Sequence, residues 1–167
     1  IETLKLHSKT SHLSGSKILV TAGPTREPID PVRFMSNYSS GKMGYEIALA
    51  AKNMGASVKL ISGPVSLKSI KDVETEYVET SDEMFNAVMS NADNFDILIS
   101  TAAIADYKPK DYSKSKYKKN ENDITIKFTR GADIISAASK KNNNIYTVGF
   151  AAETEALEKN AQAKLIK

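Results

Sequence analysis

Four stretches of this 167-residue chain carry residues suited to holding an anion. The first is Ser39-Ser40-Gly41-Lys42-Met43-Gly44, which runs into apolar residues at helical spacing: Met43, Ile47, Leu49, Ala50, Ala51 and Met54. The first amides of a helix lack internal partners, and the helix dipole adds positive potential there. A serine-glycine turn at such an end can therefore take a phosphate. Gly41 and Gly44 allow close backbone approach, and Lys42 adds charge. The same residues also suit an ordinary capped helix whose serines serve only the backbone. A Walker A loop is excluded, because Ser36 stands where its first glycine belongs and Met43 where its Ser or Thr would hold magnesium.

The second stretch, Ala102-Ala103-Ile104-Ala105-Asp106, follows the apolar run Ile97-Leu98-Ile99, Ser100 and Thr101. Small residues at the carboxyl end of a parallel strand leave room for a ligand, or for close packing of a helix. The third, Gly149-Phe150-Ala151-Ala152-Glu153-Thr154, repeats that pattern after Ile145 to Val148. The fourth, residues 107–120, interleaves six lysines with three tyrosines. That composition suits a solvated loop, a surface for single-stranded nucleic acid, or a flap over a triphosphate.

These stretches need a scaffold, and the rest of the chain supplies its elements. Strand-like runs lie at 18–20, 57–61, 74–78, 96–101, 123–128 (alternating Ile124, Ile126, Phe128) and 145–148. A helix over 43–54 is stopped by Gly55. Thr80-Ser81-Asp82-Glu83 is a capping box that opens a second helix, with Met84, Phe85, Val88 and Met89 as its apolar face. A third enters at Gly131-Ala132-Asp133-Ile134-Ile135, where Asp133 suits the helix dipole, and a closing helix runs over 155–167. This order predicts an α/β fold: a Rossmann-like, mostly parallel sheet with helices on both faces, as a single domain over 17–167. The loops at 22–44, 101–106 and 149–154 should then converge at one sheet edge. Residues 1–16 read as a linker or N-terminal tail.

Composition narrows the chemistry. Hydrophobic content of 41% and charged content of 26% are those of a globular domain, and the net charge of +3 suits anionic small molecules rather than a nucleic acid. With no cysteine, disulfides and thiol ligands are excluded, and a cytoplasmic location is expected. No apolar run reaches membrane-spanning length. The two histidines, His7 and His12, lie in the tail without convergent carboxylates, so no metal-ligating set and no Ser-His-Asp set is expected. A nicotinamide dinucleotide is disfavoured, because the first turn holds only Gly23 and the second strand ends in Ser62-Gly63-Pro64 without an acid. The chain starts at Ile1 and stops at Lys167 within the closing helix, as expected of a fragment.

Thr21 to Gly44, TAGPTREPIDPVRFMSNYSSGKMG, resembles the signature of phosphopantothenoylcysteine synthetase of the bacterial CTP-dependent type, and the resemblance extends over about residues 17–167. It implies a ligase of coenzyme A biosynthesis, the synthetase domain of a bifunctional decarboxylase/synthetase. Such an enzyme joins 4′-phosphopantothenate to cysteine through an acyl-cytidylate, with release of pyrophosphate and CMP. Magnesium with CTP, no flavin in this domain, a homodimer, an upstream decarboxylase fusion, and neither nucleic acid nor membrane as partner are implied with it. Asn37 would hold the acyl-cytidylate carbonyl and Lys116 would neutralise the triphosphate as the second catalytic residue. Ser39, Ser40 and Gly41 would face the phosphates, Ser100, Thr101 and Ala102 the cytidine, and Asp106 the ribose or the metal-bound phosphates. Ala132, Asp133, Ile134 and Ile135 would shape the base pocket with Phe150, and Lys164 would be the first of a nucleotide-binding lysine pair. The family pattern is broken at Ala132, where many relatives carry proline, and the partner of Lys164 would fall beyond Lys167. Three other readings stand beside this one: a nicotinamide oxidoreductase, a nucleic-acid module built on the lysine run, and a domain with only a structural role.

Overall fold

In β1 (Lys17–Ala22), Ile18 to Ala22 are all buried, the pattern of a strand covered on both faces. The computed structural model describes residues 12–119, 123–150 and 162. Its main sheet is parallel throughout, with β1 at the centre. β4 (Ser57–Ser62) and β5 (Glu74–Tyr77) lie to one side, and β6 (Ile97–Ser100) and β9 (Tyr146–Gly149) to the other, in the order β5-β4-β1-β6-β9. The chain first steps outward from β1 through β4 to β5, then returns to β6 and steps the other way. The reversal falls between β1 and β6, where open α/β sheets bind ligands.

Alternation along β1 assigns the two faces. Ile18, Val20 and Ala22 pack with Tyr45, Ala48 and Ala51 of α1 (Lys42–Asn53). Leu19 packs on the other side with Met84, Ala87 and Val88 of α2 (Ser81–Asn91) and with Ile134 and Ala138 of α3 (Ile134–Lys141). The expected fold class is therefore present: a Rossmann-like, mostly parallel α/β sheet with helices on both faces, in one domain. Local signals set the helix bounds. Thr80 accepts from the Glu83 amide at 3.2 Å while the Glu83 carboxylate reaches back, a complete capping box. Gly55, at φ 95°, ends α1 and donates to the Lys52 carbonyl at 2.9 Å.

Two departures from the sequence reading concern ribbons outside the sheet. The proline-rich loop after β1 contains an antiparallel pair, β2 (Arg26–Pro28) with β3 (Phe34–Ser36). The alternating run at 123–128 does not form a strand of its own length. Only β8 (Phe128–Arg130) pairs, with β7 (Tyr107–Pro109), and Ile124 and Phe128 are each 45% exposed. Alternation there has no core to face, so the period-two pattern predicts a half-buried strand that tertiary context does not provide.

Candidate functional site at the strand ends

Small residues let three loops close on one another at the carboxyl ends of β1, β4 and β6. A Cβ on Gly41 would lie 3.2 Å from Gly23 Cα and 2.7 Å from Val65 Cγ1, and one on Gly23 would lie 2.9 Å from the same methyl. Gly23 and Gly41 also have φ of 78° and 76°, the left-handed region that favours glycine. Gly41 is the N-cap of α1 and has no side-chain cap. Ser39 Oγ instead accepts from the Gly41 amide at 3.3 Å, and Ser40 Oγ from the Lys42 amide at 3.5 Å. The serine turn thus lies at the helix entrance with Lys42 and Met43 exposed beside it.

The β1–β6 ladder continues past the strand ends. Ala103 donates to the Gly23 carbonyl at 2.9 Å, and Thr25 donates to the Ala103 carbonyl at 3.2 Å. Thr101 Oγ1 donates to the Thr21 carbonyl at 2.6 Å, and the Ala102 amide to Thr21 Oγ1 at 3.3 Å. The Asn37 side chain donates to the Ala103 carbonyl at 2.9 Å and so joins the first loop to the second. The Gly131 amide donates to the Asp106 carbonyl at 2.8 Å, which brings the entrance of α3 to the end of the second loop.

Most of the predicted residues gather at this edge. Asn37, Ser39, Ser40, Gly41, Thr101 and Ala102 lie on the two loops joined above, Ser100 Oγ accepts from Thr21 Oγ1 at 3.4 Å, and Asp106 is exposed at the far end of the second loop. The 132–135 group divides. Asp133, exposed, caps α3 by accepting from the Ser136 amide at 3.0 Å, and Ile134 is 4% exposed within the core. Ile135 Cδ1 lies 2.9 Å from where a Cβ on Gly149 would be, which places Ile135 beside the β9 end that leads to half-exposed Phe150. Ala132 is exposed. Lys116 is exposed on a segment attached to the 26–36 hairpin, and Lys164 lies outside the described residues.

Asp30 and Glu27 are the two functional-looking groups that the sequence reading missed. Each is a buried carboxylate, 3% and 2% exposed, in a proline-rich surface loop. Glu27 Oε1 accepts from the Ser81 amide at 2.9 Å, which fastens the hairpin to the start of α2. Asp30 Oδ1 accepts from the amides of Val32 and Arg33 at 2.8 and 2.9 Å, an Asx turn that D-P-x-R spacing could have signalled. The Arg33 guanidinium beside it holds its carboxyl well below the usual carboxylate range. A depressed folded value means that this group stabilises the fold above the unfolded carboxylate pKa of about 3.9, a contribution lost only as pH falls through that depressed value.

Two clefts flank the hairpin. One, about 410 Å³, is lined by Arg26, Ser62, Gly63, Pro64, Tyr77, Val78, Glu79 and Glu83. The other, about 360 Å³, is lined by residues that include Arg33, Phe34 and Tyr112. Neither contains a predicted residue. In the first, Arg26 already lies 3.9 Å from Glu79 and over the Phe34 ring, so the glycine-lined strand ends remain the better anion site. No group of three or more His, Cys, Asp or Glu is placed to share a metal among the described residues. No helix of the described residues is long and apolar enough to cross a membrane.

Residues 13–167 match the family model described as "DNA/pantothenate metabolism flavoprotein C-terminal domain". The chain is 48% identical over 158 residues to the "Coenzyme A biosynthesis bifunctional protein CoaBC" of Vibrio vulnificus, covering 93% of this chain and 39% of that protein. It therefore spans about two-fifths of that relative's length. A crystal structure of the C-terminal domain of CoaBC superposes with a TM-score of 0.83 at 44% identity, covering 94% of this chain and 74% of that one. The "DNA/Pantothenate Metabolism Flavoprotein" of Streptococcus pneumoniae shares the fold at 23% identity, with a TM-score of 0.73, covering 90% of this chain and 77% of that one.

These findings correct part of the sequence reading. Kinship with bifunctional proteins of coenzyme A biosynthesis stands. The expectation of a ligase that uses CTP and magnesium, with no flavin in the domain, is overturned by the family's description as a flavoprotein domain. The motif resemblance could not reach that distinction, because a phosphate-holding turn looks alike whatever the phosphate is attached to. Among the described residues, the Gly23–Gly41 turn suits the phosphate end of a flavin mononucleotide, while the first cleft beside the hairpin carries an Arg26–Glu79 pair at 3.9 Å, which does not suit an uncharged ring system.

Proposed function

The chain belongs to the DNA/pantothenate metabolism flavoprotein C-terminal domain family, and on that premise we propose that it binds the phosphate monoester of a coenzyme A pathway ligand at its strand ends. The ligand class covers a phosphorylated pantothenate derivative and a flavin mononucleotide, which share that group. One observation carries the reading: the left-handed pair Gly23 and Gly41 meets at the entrance of α1, with Ser39 and Ser40 in the same turn. Amides at a helix start, a positive dipole end and two hydroxyls suit a doubly charged oxyanion. Asn37, Thr101 and Asp106 complete the edge, and Lys116 adds charge from the neighbouring segment. Phe150, Ile135 and Ala132 supply the apolar side, Ser100 and Ala102 its floor, and Lys164 a further cation. Residues 17–167 form the working domain and 1–16 its tail. The reading includes a cytoplasmic location and a homodimer, the latter supported by the exposed side chains of Val32, Phe34 and Tyr38.

Calorimetric titration with 4′-phosphopantothenate and with flavin mononucleotide tests it. Binding is expected for one of them. Ser40→Ala should weaken it about tenfold or more, the worth of one hydrogen bond to a charged group. Binding of neither, or affinity untouched by Ser40→Ala, would count against the strand-end site.

A further inference from the structure

We propose that Asp30 is a positioning residue that latches the lysine-rich segment 114–119 onto the hairpin beside the strand ends. Four of the six residues of that segment are lysines: Lys114, Lys116, Lys118 and Lys119, all exposed. Like charges so close repel one another and favour a solvated, unpaired run. Here the segment is gripped instead at its one aromatic residue. Asp30 Oδ2 accepts from the Tyr117 amide at 3.1 Å and from Arg33 Nε at 3.0 Å. Arg33 Nη2 donates to the Tyr117 carbonyl at 3.1 Å, and its guanidinium lies 5.7 Å from the Tyr117 ring centre. Upstream, the Ser113 amide donates to the Ile29 carbonyl at 3.0 Å.

Tyr117 is thus held at its N–H, its C=O and its ring by two residues of one turn. A single buried carboxylate organises both the turn and the segment, with one oxygen on Val32 and Arg33 amides and the other on Arg33 and Tyr117. Fixing four ammonium groups on the hairpin that leads to the strand ends would strengthen an anion site there, because the cost of gathering the charge is met before the ligand arrives. What the lysines meet rests on the phosphate reading above. The latch itself does not.

Two readouts on the full chain separate these. Limited trypsin digestion followed by mass spectrometry reports cleavage after Lys114, Lys116, Lys118 and Lys119. Asp30→Asn keeps the shape of the side chain but removes its charge, and should raise the cleavage rate about tenfold or more with the far-ultraviolet dichroism unchanged. Tyr117→Pro removes the amide donor and the ring, and should raise cleavage after Lys114, Lys118 and Lys119 even if Asp30→Asn disturbs the fold, the bond after Lys116 being refractory to trypsin once proline follows it. Tyr117→Phe keeps amide, carbonyl and ring and should cleave as the wild type does. Cleavage after Lys114, Lys118 and Lys119 at the wild-type rate in both Asp30→Asn and Tyr117→Pro would overturn the latch.

The second readout is 4′-phosphopantothenate or flavin mononucleotide affinity in a double-mutant cycle. Asp30→Asn should weaken binding about fivefold in the wild type and not at all in a background with Lys114, Lys116, Lys118 and Lys119 all replaced by Ala, since Asp30 acts through the lysines. Equal losses in both backgrounds would make Asp30 merely structural. If the wild type binds neither ligand, the phosphate reading fails and the trypsin readout still decides the latch.

Discussion

Gly63→Ala should destabilise the domain by about 3 kcal/mol, a cost set by overpacking against backbone that cannot move aside. A Cβ at this position would overlap the Pro24 carbonyl oxygen and lie 2.9 Å from its carbon. Both partners are pinned. The Gly63 amide donates to the Ala22 carbonyl at 2.9 Å, and Pro24 is bridged to Ala103 on the other side. Relief would need the loops after β1 and β4 to separate, which undoes the edge where the ligand is proposed to bind. Thermal unfolding should register a fall of roughly 6–12 °C for a domain of this size. A change under about 2 °C would mean that the two loops do not approach as closely as described.

Gly44→Ala is the second large effect, and its sign runs against helix propensity. Gly44 lies in the first turn of α1, where alanine alone would stabilise by up to about 1 kcal/mol. The added methyl would lie 2.5 Å from Ala22 Cβ and would overlap Thr101 Oγ1, which already donates to the Thr21 carbonyl. Ala22 is on the buried central strand and cannot yield, so overpacking outweighs propensity and a net loss of about 2 kcal/mol is expected. Because the displaced turn is the one that carries Ser40 and Gly41, ligand affinity should fall with stability. A stabilised Gly44→Ala protein would show that the helix entrance has room to spare.

The sheet was legible because its signals are local. Ile18-Leu19-Val20 and Ile97-Leu98-Ile99 are apolar on both faces, and each became a strand covered by helices. Thr80 and Glu83 sit three residues apart, so their box needed no knowledge of the fold. The meeting of the 22–44 and 101–106 loops followed from topology alone, and Asn37, Thr101 and Ala102 lie where they meet, whereas residues 151–154 of the third expected loop lie outside the described residues. The failures are long-range or contextual. Asp30 meets Tyr117 across 87 residues, and Glu27 meets Ser81 across 54, so nothing in either neighbourhood announces the pairing. Ile134 and Asp133 also have helix roles, one in the core and one as a cap, which spacing alone did not separate from the pocket roles expected of them. The identity of the ligand was beyond reach for a further reason. A serine-glycine turn at a helix start recognises a phosphate, and the remainder of the molecule is chosen elsewhere.

Amide chemical-shift mapping of the isotope-labelled chain, titrated with 4′-phosphopantothenate and separately with flavin mononucleotide, tests the strand-end site most directly. The account predicts saturable shifts, for one of the two, centred on Gly23, Ser40, Gly41, Lys42 and Thr101, with smaller changes at Tyr117 carried through the latch. Shifts centred on Arg26, Glu79 and Tyr77, with the Gly41 turn silent, would place the ligand in the cleft beside the hairpin and contradict the account.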